Sequence, residues 1–219
     1  MTHISGQYAT PTMKIDFKRA LEGYKAVPDK FEIINIPDMQ YLMVDGHGDP
    51  NTSIEFTNAI QALYPVAYKL KFASKVNLGK DYTVMPLEGL WWSDDMAAFT
   101  TARDKSKWDW TMMIMQPDWI TNEMFEAAIQ VIKEKSTPAS LDKVRLEHLH
   151  EGLCVQTLYV GAYDNETETL LKMHNEFVPN NNLVLTKKHH EIYLSDLRKT
   201  DPDKLKTILR QPVARLTRA

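Results

Sequence analysis

Two glutamates stand inside apolar, aromatic segments: Glu88 in Pro86-Leu-Glu-Gly-Leu-Trp-Trp92, and Glu191 in His189-His-Glu-Ile-Tyr-Leu194. A carboxylate in such a setting is costly to bury without a partner. The two segments occupy matching places in two similar halves of the chain, which points to a central pocket and a small ligand. Side chains alternate across a strand. Glu88 therefore shares a face with Val84, Pro86, Leu90 and Trp92, and Glu191 shares one with His189, Tyr193 and Ser195. Trp108, Trp110 and Met112 share a face on a neighbouring strand. If these faces converge, the cavity has aromatic walls and two acids at its floor. Such a cage suits a flat, apolar or cationic guest, each ring face attracting a cation by roughly 0.5–2 kcal/mol.

Desolvation and a like charge both raise a carboxyl pKa. In a shared cavity one acid could be protonated and donate while the other accepts, an arrangement for general acid–base activation of water. Tyr193 could donate a hydrogen bond to a ligand oxygen that gains charge. The same residues fit a plainer role, in which one glutamate neutralises a cationic ligand, and the residue types leave both open.

Other constellations are weaker. His148 and His150 point the same way along a strand and, with His189 or His190, have the chemistry to bind zinc. No metal-spaced carboxylate or cysteine accompanies them, so neither a metal nor another cofactor is expected. Gly46-His-Gly48 lacks the third glycine of a phosphate-binding loop. There is no Gly-x-Ser-x-Gly nucleophile elbow. Cys154 reads as a small core residue. Arg210, Arg215 and Arg218 lie toward the C-terminus and read as a solvated tail.

The elements that must position the glutamates recur in one order. Phe31–Ile36 and Gln40–Asp45 read as strands around Pro37-Asp38. Thr52 with Glu55 is a capping-box signature, followed by a helix with Phe56, Ala59, Ile60, Leu63, Ala67 and Leu70 on one face and a kink expected at Pro65. A strand over Tyr82–Trp92, a loop of mixed charge over Ser93–Lys107 and a strand over Trp108–Met115 follow. Thr121 caps a helix to about Lys135. In the second half, Val144–Leu149 and Leu153–Val160 read as strands around Glu151-Gly152. Asn165 with Glu168 starts a helix to about Val178, a strand covers Lys188–Leu194, and Asp201-Pro202 opens a short helix before a strand to Val213. The predicted fold is α+β, a tandem pseudo-twofold repeat of strand–helix–strand–strand units around a central ligand cleft. Residues 1–29 read as a lead-in, with Met13 as the start of the ordered part. Residues 30–213 form one domain of two halves, 30–137 and 140–213, and 214–219 are a tail.

Bulk properties bound the function. The chain has 219 residues, 43% hydrophobic and 25% charged, with net charge −3. That is ordinary for a soluble protein and lacks the basic excess of a nucleic-acid binder. No apolar run approaches the roughly 20 residues of a membrane span. The N-terminus has no basic start followed by an apolar stretch, so no signal peptide is expected. The single Cys154 fits a reducing cytoplasm.

At His190-Glu-Ile-Tyr-Leu-Ser-Asp196, Asp201-Pro-Asp-Lys-Leu205 and Leu209-Arg-Gln-Pro-Val213 the chain resembles the GyrI-like small-molecule-binding family, which contains the bacterial DNA gyrase inhibitor. The Phe31-Glu-Ile-Ile34 and Tyr41-Leu-Met-Val44 strands are similar to it too, and the likeness covers about 30–213. The resemblance implies two strand–helix–strand–strand halves around a cleft. It also implies that Glu191 is the glutamate that meets cationic drugs in the aromatic cavity of multidrug-sensing regulators. Stand-alone members with a Glu-Gly-Leu-Trp-Trp strand like Glu88–Trp92 are closer still. They include hydrolases that open the cyclopropane of DNA-alkylating natural products. That likeness implies Glu191, with Glu88 or Tyr193, as water-activating or ring-polarising groups, and Trp91, Trp92, Trp108 and Trp110 as the grip on a flat polycyclic substrate. Met112 and His189 complete the expected lining. Asp196-Leu197 departs from the Asp-Pro that members often carry. The residues before the first strand lack the paired helices of a helix-turn-helix, so no direct nucleic-acid binding is expected. A gyrase-facing role would follow from kinship alone. The implied function is hydrolysis of reactive xenobiotics in the cytoplasm. The alternative is a protein that sequesters or senses drugs without turnover.

Overall fold

Nine strands form the framework in a computed structural model that describes residues 13–94, 104–136, 138–196 and 198–216. They are β1 (Glu32–Ile36), β2 (Met39–His47), β3 (Glu88–Trp92), β4 (Asp109–Gln116), β5 (Arg145–Leu149), β6 (Gly152–Val160), β7 (Leu183–Leu185), β8 (His189–Tyr193) and β9 (Lys206–Arg215). The sheet runs β1-β6-β9-β8-β3-β4-β2-β5, with β7 joined to the end of β9. All of these pairings are antiparallel. The fold is α+β, dominated by this antiparallel sheet. Exchanging β1–β4 for β5, β6, β8 and β9 reads the same strand order from the other end. The centre of that order is β3 beside β8, so the two glutamate-bearing strands are neighbours.

Among the described residues the helices are α1 (Phe17–Ala20), α2 (Ile54–Leu78), α3 (Asn122–Lys135), α4 (Thr167–Lys172) and α5 (Val178–Asn180), the last two joined by a π-helical turn at Met173–Phe177. α2 forms because its apolar residues repeat at helical spacing. Ala59, Ala62, Leu63, Val66, Ala67 and Leu70 are all fully buried, while Pro65 sits on the exposed side. Its N-cap is Ser53, whose Oγ accepts from the Phe56 amide, one residue beyond the expected Thr52. Gly79, at φ 65°, closes the C-terminus in the left-handed conformation glycine adopts without a Cβ clash. Thr121 caps α3 as its sequence suggests.

Two boundaries differ from the sequence reading. The expected strand over Tyr82–Trp92 begins only at Glu88, because Pro86 lacks the amide a ladder needs; Tyr82 keeps one isolated bridge, to Ile15. The centre of the 93–107 loop, residues 95–103, lies outside the described residues. Residues 13–29, read as a lead-in, instead pack on the sheet: Tyr24 is buried, and the Lys25 carbonyl accepts from Gln156 Nε2 at 2.8 Å.

Two sides of the sheet are thus dressed differently. α2 packs on one side, where Phe56 meets Trp91 and Trp110. The 163–180 segment packs on the same side, where Tyr163 meets Tyr193 and His174 meets His189. Residues 23–27 lie over the reverse side, where Tyr24 meets Glu88, whereas Ile15 and Phe17 sit by the C-terminal end of α2, beside Tyr82 and Trp119.

Candidate functional site

The two glutamates do not meet. Directly opposed residues of an antiparallel pair point to the same side of the sheet, and successive residues alternate. In the β3–β8 pair Glu88 stands opposite Ile192, whereas Gly89 stands opposite Glu191. Glu191 therefore projects toward the helices and Glu88 toward the 13–29 segment. The shared cavity expected for the pair, and with it a catalytic place for Glu88 beside Glu191, is excluded by this offset of one residue.

On the helix side, Glu191 is 8% exposed, enough to reach solvent or a ligand. Its Oε2 accepts from the Tyr193 hydroxyl at 2.8 Å, and Tyr193 in turn accepts from Trp91 Nε1 at 3.0 Å. Glu191 Oε1 lies 3.7 Å from His189 Nε2. Burial, then the neighbouring His174 and His190, hold His189 well below the usual histidine range, so it is a neutral imidazole. Burial also depresses His174, to about 4. The Tyr193 hydroxyl is driven well above its ordinary value, by burial first and then by the Glu191 charge, and it stays protonated as a donor. Tyr163, packed edge-on against Tyr193 at 5.4 Å, is pushed up to about 12 by burial and by the charges of Glu191 and Glu166.

The aromatic residues divide in the same way. Trp91 and Trp110 are opposed across β3 and β4, and Met112 is opposed to Gly89, so all three share the Glu191 side. Trp108 packs edge-on against Trp91 at 5.8 Å. Trp110 and Met112 are fully buried, so they form the base under the site. Trp92 leaves the other side of β3, under Lys188 Nζ, 3.2 Å above its ring. Glu166 is a further buried acid of this region, 4% exposed. The sequence reading passed over it because Asn165 and Glu168 carried the helix-start signal.

The reverse side holds an enclosed polar chain. Glu88, fully buried, accepts from Tyr24 Oη at 2.6 Å, and its second oxygen lies 3.0 Å from His190 Nε2. His190 Nδ1 lies 3.0 Å from Glu151, which also accepts from Arg210 at 2.8 Å. Arg210 reaches the Gln156 side chain as well, and the Gly23 carbonyl of the N-terminal segment. Burial alone would lower the His190 pKa, but the Glu151 charge and the hydrogen bonds to Glu151 and Glu88 raise it above its ordinary value. Burial opposes ionisation of Glu151 too, yet His190 and Arg210 hold it at about 2. With His190 charged, two acids face two cations. Arg210, read from sequence as part of a solvated tail, is fully buried at the centre of β9. Burial lifts the Cys154 thiol to about 12, consistent with an inert core residue.

No group of three or more His, Cys, Asp or Glu among the described residues could hold a metal ion, and none of the described helices is long and apolar enough to cross a membrane. A comparison with curated proteins gives no match. Among solved structures, an uncharacterized conserved protein from Listeria innocua is 40% identical with a TM-score of 0.84, covering 92% of this chain and all of that one. A structure of a hydrolase from Listeria innocua is 39% identical with a TM-score of 0.80 over the same shares. The C-terminal domain of EcmrR, 12% identical with a TM-score of 0.54, covers 85% of this chain and 98% of that one and shares the fold alone. The profile of the GyrI-like small molecule binding domain matches residues 29–214, nearly the whole sheet with its helices, and the chain belongs to that family.

Proposed function

We propose that this small-molecule-binding protein hydrolyses reactive, flat aromatic compounds, with Glu191 as the group that activates water. The observation that carries the reading is a carboxylate, 8% exposed, that accepts from Tyr193, whose ring and hydroxyl are in turn in contact with Tyr163 and with a Trp91–Trp108 pair. Hydrolases from Listeria innocua at 39–40% identity over 92% of the chain support it. The substrate class taken from the sequence resemblance is a cyclopropane fused to a cyclohexadienone. Glu191 takes a proton from water as the water oxygen bonds to the strained ring carbon. The ring C–C bond breaks, and its electron pair enters the dienone, which becomes a phenol on taking up a proton. The net change is addition of one water. Trp108 and Tyr163 hold the flat substrate, and the enclosed Trp91 helps exclude bulk solvent. Glu88 has no part in the step: it is sealed on the reverse side, and its role is structural.

The test is incubation with a duocarmycin-type compound that retains its cyclopropane, with the product followed by mass. Wild type should give the mass gain of one water, and Glu191→Gln should lose most of the rate over background. Equal consumption by the two proteins would remove Glu191 from the chemistry. Drug binding without turnover is the second reading, favoured by the same aromatic residues beside the acids Glu191 and Glu166. Tryptophan quenching by a lipophilic cation recovered unchanged, with no hydrolysis of any cyclopropane substrate, would support it instead.

A further inference from the structure

We propose that Trp91 is a positioning residue for Glu191, acting through Tyr193, and that Gly89 supplies the space that lets it do so. The inference rests on the reading of Glu191 as the functional carboxylate, and it changes what the tryptophan is for. An indole nitrogen is only a donor. Trp91 Nε1 lies 3.0 Å from the Tyr193 oxygen, so that oxygen must accept. The Tyr193 hydrogen is then committed to Glu191 Oε2, 2.8 Å away. The chain of donors has one direction, from indole to phenol to carboxylate, and hydrogen bonds in series strengthen one another. One carboxylate oxygen is thereby fixed as an acceptor, which sets the plane of the other.

Gly89 explains the reach of the indole. It lies directly across from Glu191, and a Cβ there would sit 2.7 Å from Trp91 Nε1 and 3.1 Å from the Tyr193 hydroxyl. Its backbone is ordinary strand, outside the positive-φ positions, so alanine is opposed by the indole that crosses above it and by the Tyr193 hydroxyl, and not by backbone strain. Trp91 is 4% exposed and braced by Phe56 and Trp108, which leaves it little surface to offer a ligand. A side chain placed to touch substrate would not be closed in this way.

The experiment follows the Trp91 indole N–H by NMR in protein labelled with nitrogen-15 tryptophan, alongside the pH profile of hydrolysis. In wild type the indole proton should lie downfield and shift with pH as Glu191 titrates. Tyr193→Phe should move it upfield and abolish that pH dependence. Glu191→Gln should abolish the pH dependence while leaving the resonance downfield. Gly89→Ala should give the Tyr193→Phe pattern in a protein whose near-ultraviolet circular dichroism still reports a folded core. Trp91→Phe keeps the ring and removes the donor, and it should move the acid limb of the kcat/KM profile to higher pH with KM unchanged. An indole resonance indifferent to Tyr193→Phe, or a Trp91→Phe profile superimposable on wild type, would overturn the proposal. The NMR arm needs no substrate: a coupled resonance in a protein without turnover would defeat the hydrolase reading and leave the positioning intact.

Discussion

Replacing Arg210 by methionine is the sharpest test of the buried chain behind the site. Methionine preserves most of the side-chain volume, so the perturbation is electrostatic. Arg210 donates to Glu151 at 2.8 Å and to Gln156 at 3.2 Å, and also to the Gly23 carbonyl. Without it, Glu88 and Glu151 share the single cation His190, and one negative charge is left uncompensated in a fully enclosed space. Breaking a buried ion pair on one side costs about 3–5 kcal/mol. At roughly 2–4 °C per kcal/mol for a domain of this size, the midpoint of thermal unfolding should fall by about 6–20 °C. Urea titration followed by tryptophan fluorescence gives the free energy directly. The double variant Glu151→Gln/Arg210→Met restores the charge balance, so it should be less destabilised than Arg210→Met alone, with a coupling of about 0.5–3 kcal/mol. A loss below about 1 kcal/mol for Arg210→Met, the range of an exposed pair, would refute the reasoning. So would a double variant as unstable as the sum of its parts.

Three further outcomes follow from the structure. His190 has a folded-state pKa raised above 6.5, so its contribution is fully present below the unfolded value and is lost as pH rises through the folded one. The urea midpoint of wild type should therefore fall on the alkaline side of 6.5, and His190→Gln should flatten that fall; an unchanged slope would contradict it. Glu151, held at about 2 against an ordinary 4.5, has the opposite sense: its contribution is lost only as pH drops from 4.5 toward 2. Gly46→Ala would put a Cβ 2.0–2.6 Å from ring carbons of the fully buried Trp110, and overpacking of this kind costs about 1–3 kcal/mol. A urea midpoint indistinguishable from wild type would show that the ring yields freely.

Much of the secondary structure was legible because its signals are local. Short apolar runs bounded by turn residues mark β1, β2 and β4, and Thr121 announces α3. The fold class followed from the order of those signals. The site was legible in its residues and not in its geometry. Alternation along β3 and along β8 sorts side chains within each strand, but it carries no information on how the strands align. That alignment places Glu191 beside Gly89 rather than Glu88, and so decides which residues share a chamber. His190, Arg210 and Gln156 line up across β8, β9 and β6 only once the strand order is known. Arg210 looked like part of a tail because it lies near the C-terminus, although Leu209 and Gln211 around it already fit a strand. The 13–29 segment carries no periodic pattern. Its backbone carbonyls at Gly23 and Lys25 hold it in place, and such contacts leave no trace in side-chain types.

His190 and Glu191 are consecutive, and they face opposite compartments. Sliding β8 by a single position would carry the imidazole to the aromatic, helix-facing side and thrust a third carboxylate between Glu88 and Glu151, with Arg210 as the lone counter-charge. A slip of one residue turns every side chain of a strand to the opposite face. Here the mistake would strand net negative charge in a waterless interior. The polar chain behind the site therefore penalises that misalignment, and the acid on the near side owes its placement partly to the partners of its neighbour.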